Sequence, residues 1–65
     1  MQKALKDLRR GDILDDNDGS TVFSVQEDAK DLGDGEVIIR IAMLTDAKIR
    51  GNFVGDSDEI VNVRD

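Results

Sequence analysis

Cysteine, histidine, proline, tryptophan and tyrosine are all missing from these 65 residues, and phenylalanine occurs only twice. Without cysteine no disulfide can form, and without histidine as well a structural zinc ion loses its usual ligands. The same gaps remove most groups that move protons or attack substrates. Ser20, Ser24, Ser57, Thr21 and Thr45 remain as hydroxyls, with no base placed to activate them. No enzyme activity, cofactor or small-molecule substrate is therefore expected. A chain of this size buries only roughly 60% of the surface that its unfolded form exposes. With disulfides and zinc excluded, self-association or a protein partner is the expected source of extra stability.

Long apolar runs are missing too. Met1-Gln2-Lys3-Ala4-Leu5-Lys6-Asp7 is charged from its third residue and lacks the apolar stretch of a secretory signal, and no segment approaches membrane-spanning length. No membrane association is expected, and a cytoplasmic location is the default expectation.

Acidic charge is what the chain has in excess. Net charge is −6, but Lys3, Lys6, Arg9 and Arg10 against Asp7 make residues 1–11 basic, at +3, and leave −9 for residues 12–65. A body of that sign repels a phosphate backbone. Although 37% of residues are charged, Val37-Ile38-Ile39-Arg40-Ile41-Ala42-Met43-Leu44 is too apolar and β-branched to stay solvated, so the chain is expected to fold.

Strand signals dominate after residue 11. Before it, Leu5 and Leu8, three apart among helix formers, predict a short helical turn whose two leucines close one end of a barrel, and Gly11 ends it. Asp12–Asp15 reads as a first strand and Asp15–Ser20 as a turn. Thr21–Glu27 comes next as a strand, with Phe23 and Val25 on one face and Ser24 and Gln26 on the other. Asp28–Gly35 reads as loop with Leu32 tucked beneath it. Glu36–Thr45 reads as a long central strand, apolar on both faces. Lys48–Val54 reads as a strand with Ile49 and Phe53 inward and a bulge at Gly51, and Glu59–Arg64 as the last strand.

Two stretches carry a family likeness. Leu8-Arg9-Arg10-Gly11-Asp12-Ile13-Leu14 resembles the L-x-x-G-D-hydrophobic opening of SH3-like barrels. Gly55-Asp56-Ser57-Asp58-Glu59-Ile60-Val61-Asn62-Val63 is similar to their short turn into a last strand that pairs with the first. The resemblance implies an all-β, five-stranded SH3-like barrel spanning residues 1–65 as one domain, with residues 1–11 as a basic N-terminal cap or arm. The compact, charged format also resembles small accessory proteins of phages and mobile elements. Peptide-binding SH3 domains line their groove with aromatics, and two phenylalanines, both expected inside, do not supply one.

Three functions remain. The first is a non-enzymatic protein-interaction module, using an exposed strand edge and a basic patch of Lys48 and Arg50, joined by Lys3, Lys6, Arg9 and Arg10; homodimerisation is one version. The second is an acidic nucleic-acid mimic that inhibits a DNA- or RNA-binding protein through Asp15, Asp16, Asp18, Asp31, Asp34, Asp56, Asp58 and Glu59. The third is a small-barrel nucleic-acid binder using the N-terminal arm, against which the charge and the lack of stacking aromatics both speak. Calcium is not expected at the acidic turns. Aligning Gly19 with the glycine of an EF-hand loop puts Leu14 and Val25 in the first and last ligand positions.

Overall fold

β-branched residues crowd the backbone of a helix but pack well on a pleated surface, and this chain concentrates them in its middle and at its end. A computed structural model describes residues 1–15 and 22–64. Its strands are β1 (Gln2–Ala4), β2 (Ile13–Asp15), β3 (Val22–Val25), β4 (Lys30–Gly33), β5 (Glu36–Met43), β6 (Arg50–Asp56) and β7 (Ile60–Asn62), with one 3-10 turn at Leu5–Asp7. The fold is all-β, and its curled five-stranded sheet forms a half-barrel.

β5 organises that sheet. Along one edge it pairs with β3 through Ile41–Met43 and with β4 through Glu36–Ile38, and along the other it pairs with β6 over Glu36–Ala42, all antiparallel. β2 extends the sheet beyond β3. β1 and β7 form a separate two-stranded ribbon, joined to β2 by a bridge between Leu14 and Val63. The last strand thus returns chiefly to β1, and the residues just after it reach β2 through the Leu14–Val63 bridge and the Arg64 amide, which donates to the Ile13 carbonyl at 2.8 Å.

The core is aliphatic. Leu5, Leu8, Val25, Val37, Ile39 and Val63 form one buried cluster, with Leu14, Ala29, Ile41, Phe53 and Val61 packed against it. Full burial of each such Leu, Ile or Val side chain stabilises the fold by about 1.5–3 kcal/mol. Leu5 and Leu8 are wholly buried and cap one end of the half-barrel, and they get there because the Leu5 and Lys6 amides donate to the Glu59 and Ser57 carbonyls, at 2.8 and 3.1 Å. Ala42 is buried on the opposite face of β5, so that face is covered at the strand's C-terminal end, while Arg40 on the same face is exposed.

Several local expectations change. Residues 2–4 are strand, because pairing with β7 outweighs the modest helix preference of Gln, Lys and Ala; only the turn at Leu5–Asp7 is helical. Lys30–Gly33 is strand rather than loop, held by β5, and Leu32 is exposed instead of tucked under. Ile49 is exposed because it precedes β6 in the turn. Gly51 sits in an unbroken register opposite Ile41, and the irregularity falls between Asp31 and Gly33. The turn from β4 to β5 has three successive residues at positive φ, Gly33 at 86°, Asp34 at 55° and Gly35 at 78°.

Candidate functional site: an arginine-lined groove and an open strand edge

Arg40 is the one charged residue between Val37 and Leu44, and its β6 partner is Asn52. β3 stops at Val25 and β4 begins at Lys30, so this stretch of β5 is flanked by Gln26 and Glu27, with the Gln26 amide donating to the Arg40 carbonyl at 2.9 Å. The interruption leaves a groove of about 520 Å³ lined by Arg10, Gln26, Glu27, Arg40, Arg50 and Asn52, with Ile41 and Gly51 completing it.

Its charge is opposite to that of the protein as a whole. Three guanidiniums face one carboxylate, and the Arg40 Nε to Glu27 Oε2 separation is 3.7 Å, beyond a good hydrogen bond. Both side chains are more than half exposed, so this pair contributes little and leaves the Arg40 donors open to another acceptor. Arg50 is steered by its Nε, which donates to the Ala47 carbonyl at 3.0 Å. The Arg10 backbone amide donates to Asp28 Oδ1 at 2.8 Å, fixing where that turn projects its guanidinium.

Residues 1–11 are a cap rather than a free arm. Lys3 Nζ lies 3.0 Å from Asp12 Oδ2, Lys6 Nζ lies 3.1 Å from Asp58 Oδ1, and Arg9 Nη1 donates to the Lys6 and Leu8 carbonyls. Burial alone would raise the Asp12 carboxyl, but the Arg9 amide and the Lys3 ammonium outweigh it and hold Asp12 below the ordinary carboxylate range. The hydrogen bond from Lys6 to Asp58, reinforced by their opposite charges, raises Lys6. Of the basic residues picked out from the sequence, only Arg10 and Arg50 line the groove; Lys48 does not. Arg40 was missed as a contact residue. The signal for it was a lone cation inside an apolar run.

The acids separate into groups. Ser57 donates its amide to the Gly35 carbonyl at 2.7 Å, and this bond brings the β4–β5 turn beside the β6–β7 turn. Asp31, Asp34, Asp56, Asp58 and Glu59 therefore gather at one end of the sheet, together with Glu36. Asp15 lies elsewhere, paired with Arg64 at 2.7 Å. Asp16 and Asp18 lie outside the described residues. Among the described residues no cluster of three or more carboxylates is arranged to hold a metal ion.

Beside the groove, β6 has an open edge. Among the described residues it pairs only with β5. The Met43 amide donates to the directly opposed Ile49 carbonyl at 2.9 Å, and Ser57 donates to the directly opposed Gly35. Hydrogen-bonded pairs alternate along an antiparallel ladder, so the bonded positions of β6 are Gly51, Phe53 and Gly55. Arg50, Asn52, Val54 and Asp56 therefore turn their backbone N–H and C=O groups away from β5. No known protein family, characterised protein or solved structure matches the chain.

Proposed function

We propose that this protein is a non-enzymatic interaction module whose arginine-lined groove holds an acidic segment of a partner protein. The observation that carries the reading is the convergence of Arg10, Arg40 and Arg50 on one groove in a chain of net charge −6. Guanidiniums bind carboxylates through paired, planar hydrogen bonds, and a groove of about 520 Å³ has room for several residues of an acidic segment. The sequence supplies no nucleophile with an activating base, and no buried polar or charged side chain occurs among the described residues, which supports binding rather than catalysis. The same proposal takes the half-barrel as SH3-like, a reading supported by the Leu14–Val63 bridge that brings the end of the chain beside β2, the strand expected to come first.

Pull-down from a lysate of the native host, with and without nuclease, tests it when wild type is compared with Arg10→Ala/Arg40→Ala. A stoichiometric protein that survives nuclease and is lost from the variant is the expected result. Equal recovery by the variant refutes the groove reading, and recovery of nucleic acid alone transfers the site to a phosphate backbone.

The acidic end supports a second reading, a nucleic-acid mimic that occupies the basic surface of a DNA- or RNA-binding protein. Its mark is a partner whose capture survives Arg10→Ala/Arg40→Ala and is lost on Asp34→Asn/Asp56→Asn.

A further inference from the structure

The edge strand β6 reads Arg50-Gly51-Asn52-Phe53-Val54-Gly55-Asp56, which is close to a palindrome with opposite charges at its two ends. We infer that the open edge of β6 pairs with the same edge of a second copy of this chain, antiparallel about a two-fold axis at Phe53. In that register Arg50 of each copy lies opposite Asp56 of the other, Gly51 opposite Gly55, and Asn52 opposite Val54. Continued one step beyond the strand at each end, it brings Lys48 toward Asp58.

Three observations converge on this occupant. First, the outward-facing backbone groups belong to Arg50, Asn52, Val54 and Asp56, which are the positions that the two-fold register places directly opposite one another as hydrogen-bonded pairs. The Asn52 and Val54 groups of the two copies can exchange four bonds, and Arg50 with Asp56 adds more at each end. Second, the charges select the direction. A parallel pairing in register would set Arg50 on Arg50 and Asp56 on Asp56, whereas the antiparallel one makes two complementary pairs on the same face of the joined sheet. Asp56 has no ion-pair partner among the described residues, so it is available for one. Third, Val54 is 50% exposed beside the half-buried Ile38, and a neighbouring strand covers apolar surface that is otherwise left in water. This seven-residue edge, unpaired among the described residues, has no proline and no bulge to keep another strand away, and its two charges, Arg50 and Asp56, are complementary in the antiparallel register.

The joined assembly has one sheet running through both copies, with the two grooves on its two halves. This inference uses the outward backbone edge of β6; Arg50, Gly51 and Asn52 belong to both that edge and the groove, but Arg10 and Arg40 belong to the groove alone and Val54 and Asp56 to the edge alone, so each can fail without the other.

Mass in solution tests it. Sedimentation equilibrium is expected to show wild type moving from 7.2 kDa toward twice that value as concentration rises into the high micromolar range. Arg50→Asp sets acid against acid at both ends of the pairing and Asp56→Arg sets arginine against arginine, so each alone weakens the dimer by about tenfold. An equimolar mixture of the two variants restores it, because every pair is then complementary. In wild type, the Asn52 and Val54 amides gain protection from hydrogen exchange as concentration rises, a measurement that needs no variant. Arg10→Ala/Arg40→Ala leaves the mass unchanged. A wild-type chain that stays monomeric to millimolar concentration overturns the inference, as do single variants that dimerise like wild type or a mixture that stays monomeric.

Discussion

Gly55 stands where the cap meets the sheet, and the contact is close enough to set a number on. An ideal Cβ at position 55 would lie 2.7 Å from Leu5 Cδ1 and 3.2 Å from Glu59 Oε2. Leu5 is fully buried in the main core cluster, so its methyl group cannot retreat without displacing other core side chains. Gly55→Ala gains about 0.4–1 kcal/mol by restricting the unfolded chain. It loses about 1–3 kcal/mol to overpacking, and the net expectation is destabilisation by about 1–2 kcal/mol. For a domain this small each kcal/mol lowers the melting temperature by about 4–8 °C. The variant remains folded, since chains of this length are stable by about 3–10 kcal/mol. Leu5→Val removes the offending Cδ1 at a cost of about 1 kcal/mol, and in that background Gly55→Ala becomes neutral or stabilising. Urea unfolding followed by far-ultraviolet circular dichroism measures all four proteins, the chain having no tryptophan to report by fluorescence. The same penalty for Gly55→Ala in both backgrounds would show that the Leu5 contact is not its cause.

Two more outcomes concern the cap and the turn. Asp12 titrates below its ordinary value of 3.8 in the folded protein, so the stability that it contributes is complete above that pH and is lost as pH falls through the lower folded value. Asp12→Asn is expected to cost about 1 kcal/mol at neutral pH, a difference from wild type that disappears in acid unfolding scans run below that range; an undiminished difference there refutes the assignment. Gly35→Ala forces a side chain onto a backbone at φ 78° and is expected to cost about 1–3 kcal/mol by thermal melting, whereas a neutral result would mean that the turn relaxes freely.

The strands that carry alternation or β-branched runs were legible from residues alone. Val22–Val25, Glu36–Met43 and Ile60–Asn62 fall inside the expected segments, and Arg50–Asp56 is displaced by two residues. β1 and β4 were not legible, for a shared physical reason. Gln2-Lys3-Ala4 and Lys30-Asp31-Leu32-Gly33 carry no strand preference of their own, and each is strand only because a partner supplies its hydrogen bonds, distant β7 for the first and the adjoining β5, across the turn at Asp34 and Gly35, for the second. The groove was hidden for the same cause. Arg10, Arg40 and Arg50 are neighbours only once β3 and β4 leave a gap along β5, and that gap is a property of pairing that no local pattern encodes. Arg10 and Arg50 were singled out by charge alone, without the residue between them that makes them a site.

Pairing of β1 with β7 has a consequence for how the molecule comes into being. The Met1 ammonium donates to the Val63 carbonyl at 3.0 Å, across 62 residues of sequence. On the ribosome, Gln2–Ala4 emerges well before its partner and waits until Ile60–Asn62 is made, an interval of about 3–12 s at ordinary elongation rates. Until then the leucine cap has no Glu59 or Ser57 carbonyl to dock against, and the apolar interior of the half-barrel faces solvent at one end. Throughout that interval the nascent chain keeps this apolar surface and an unpaired strand exposed, and the half-barrel is capped only when β7 arrives. Because Gln2 lies opposite Asn62 in the ribbon, a circular permutant in which a short linker joins β7 to β1 would remove that waiting period, leaving a new opening at the β4–β5 turn as the place to begin the chain.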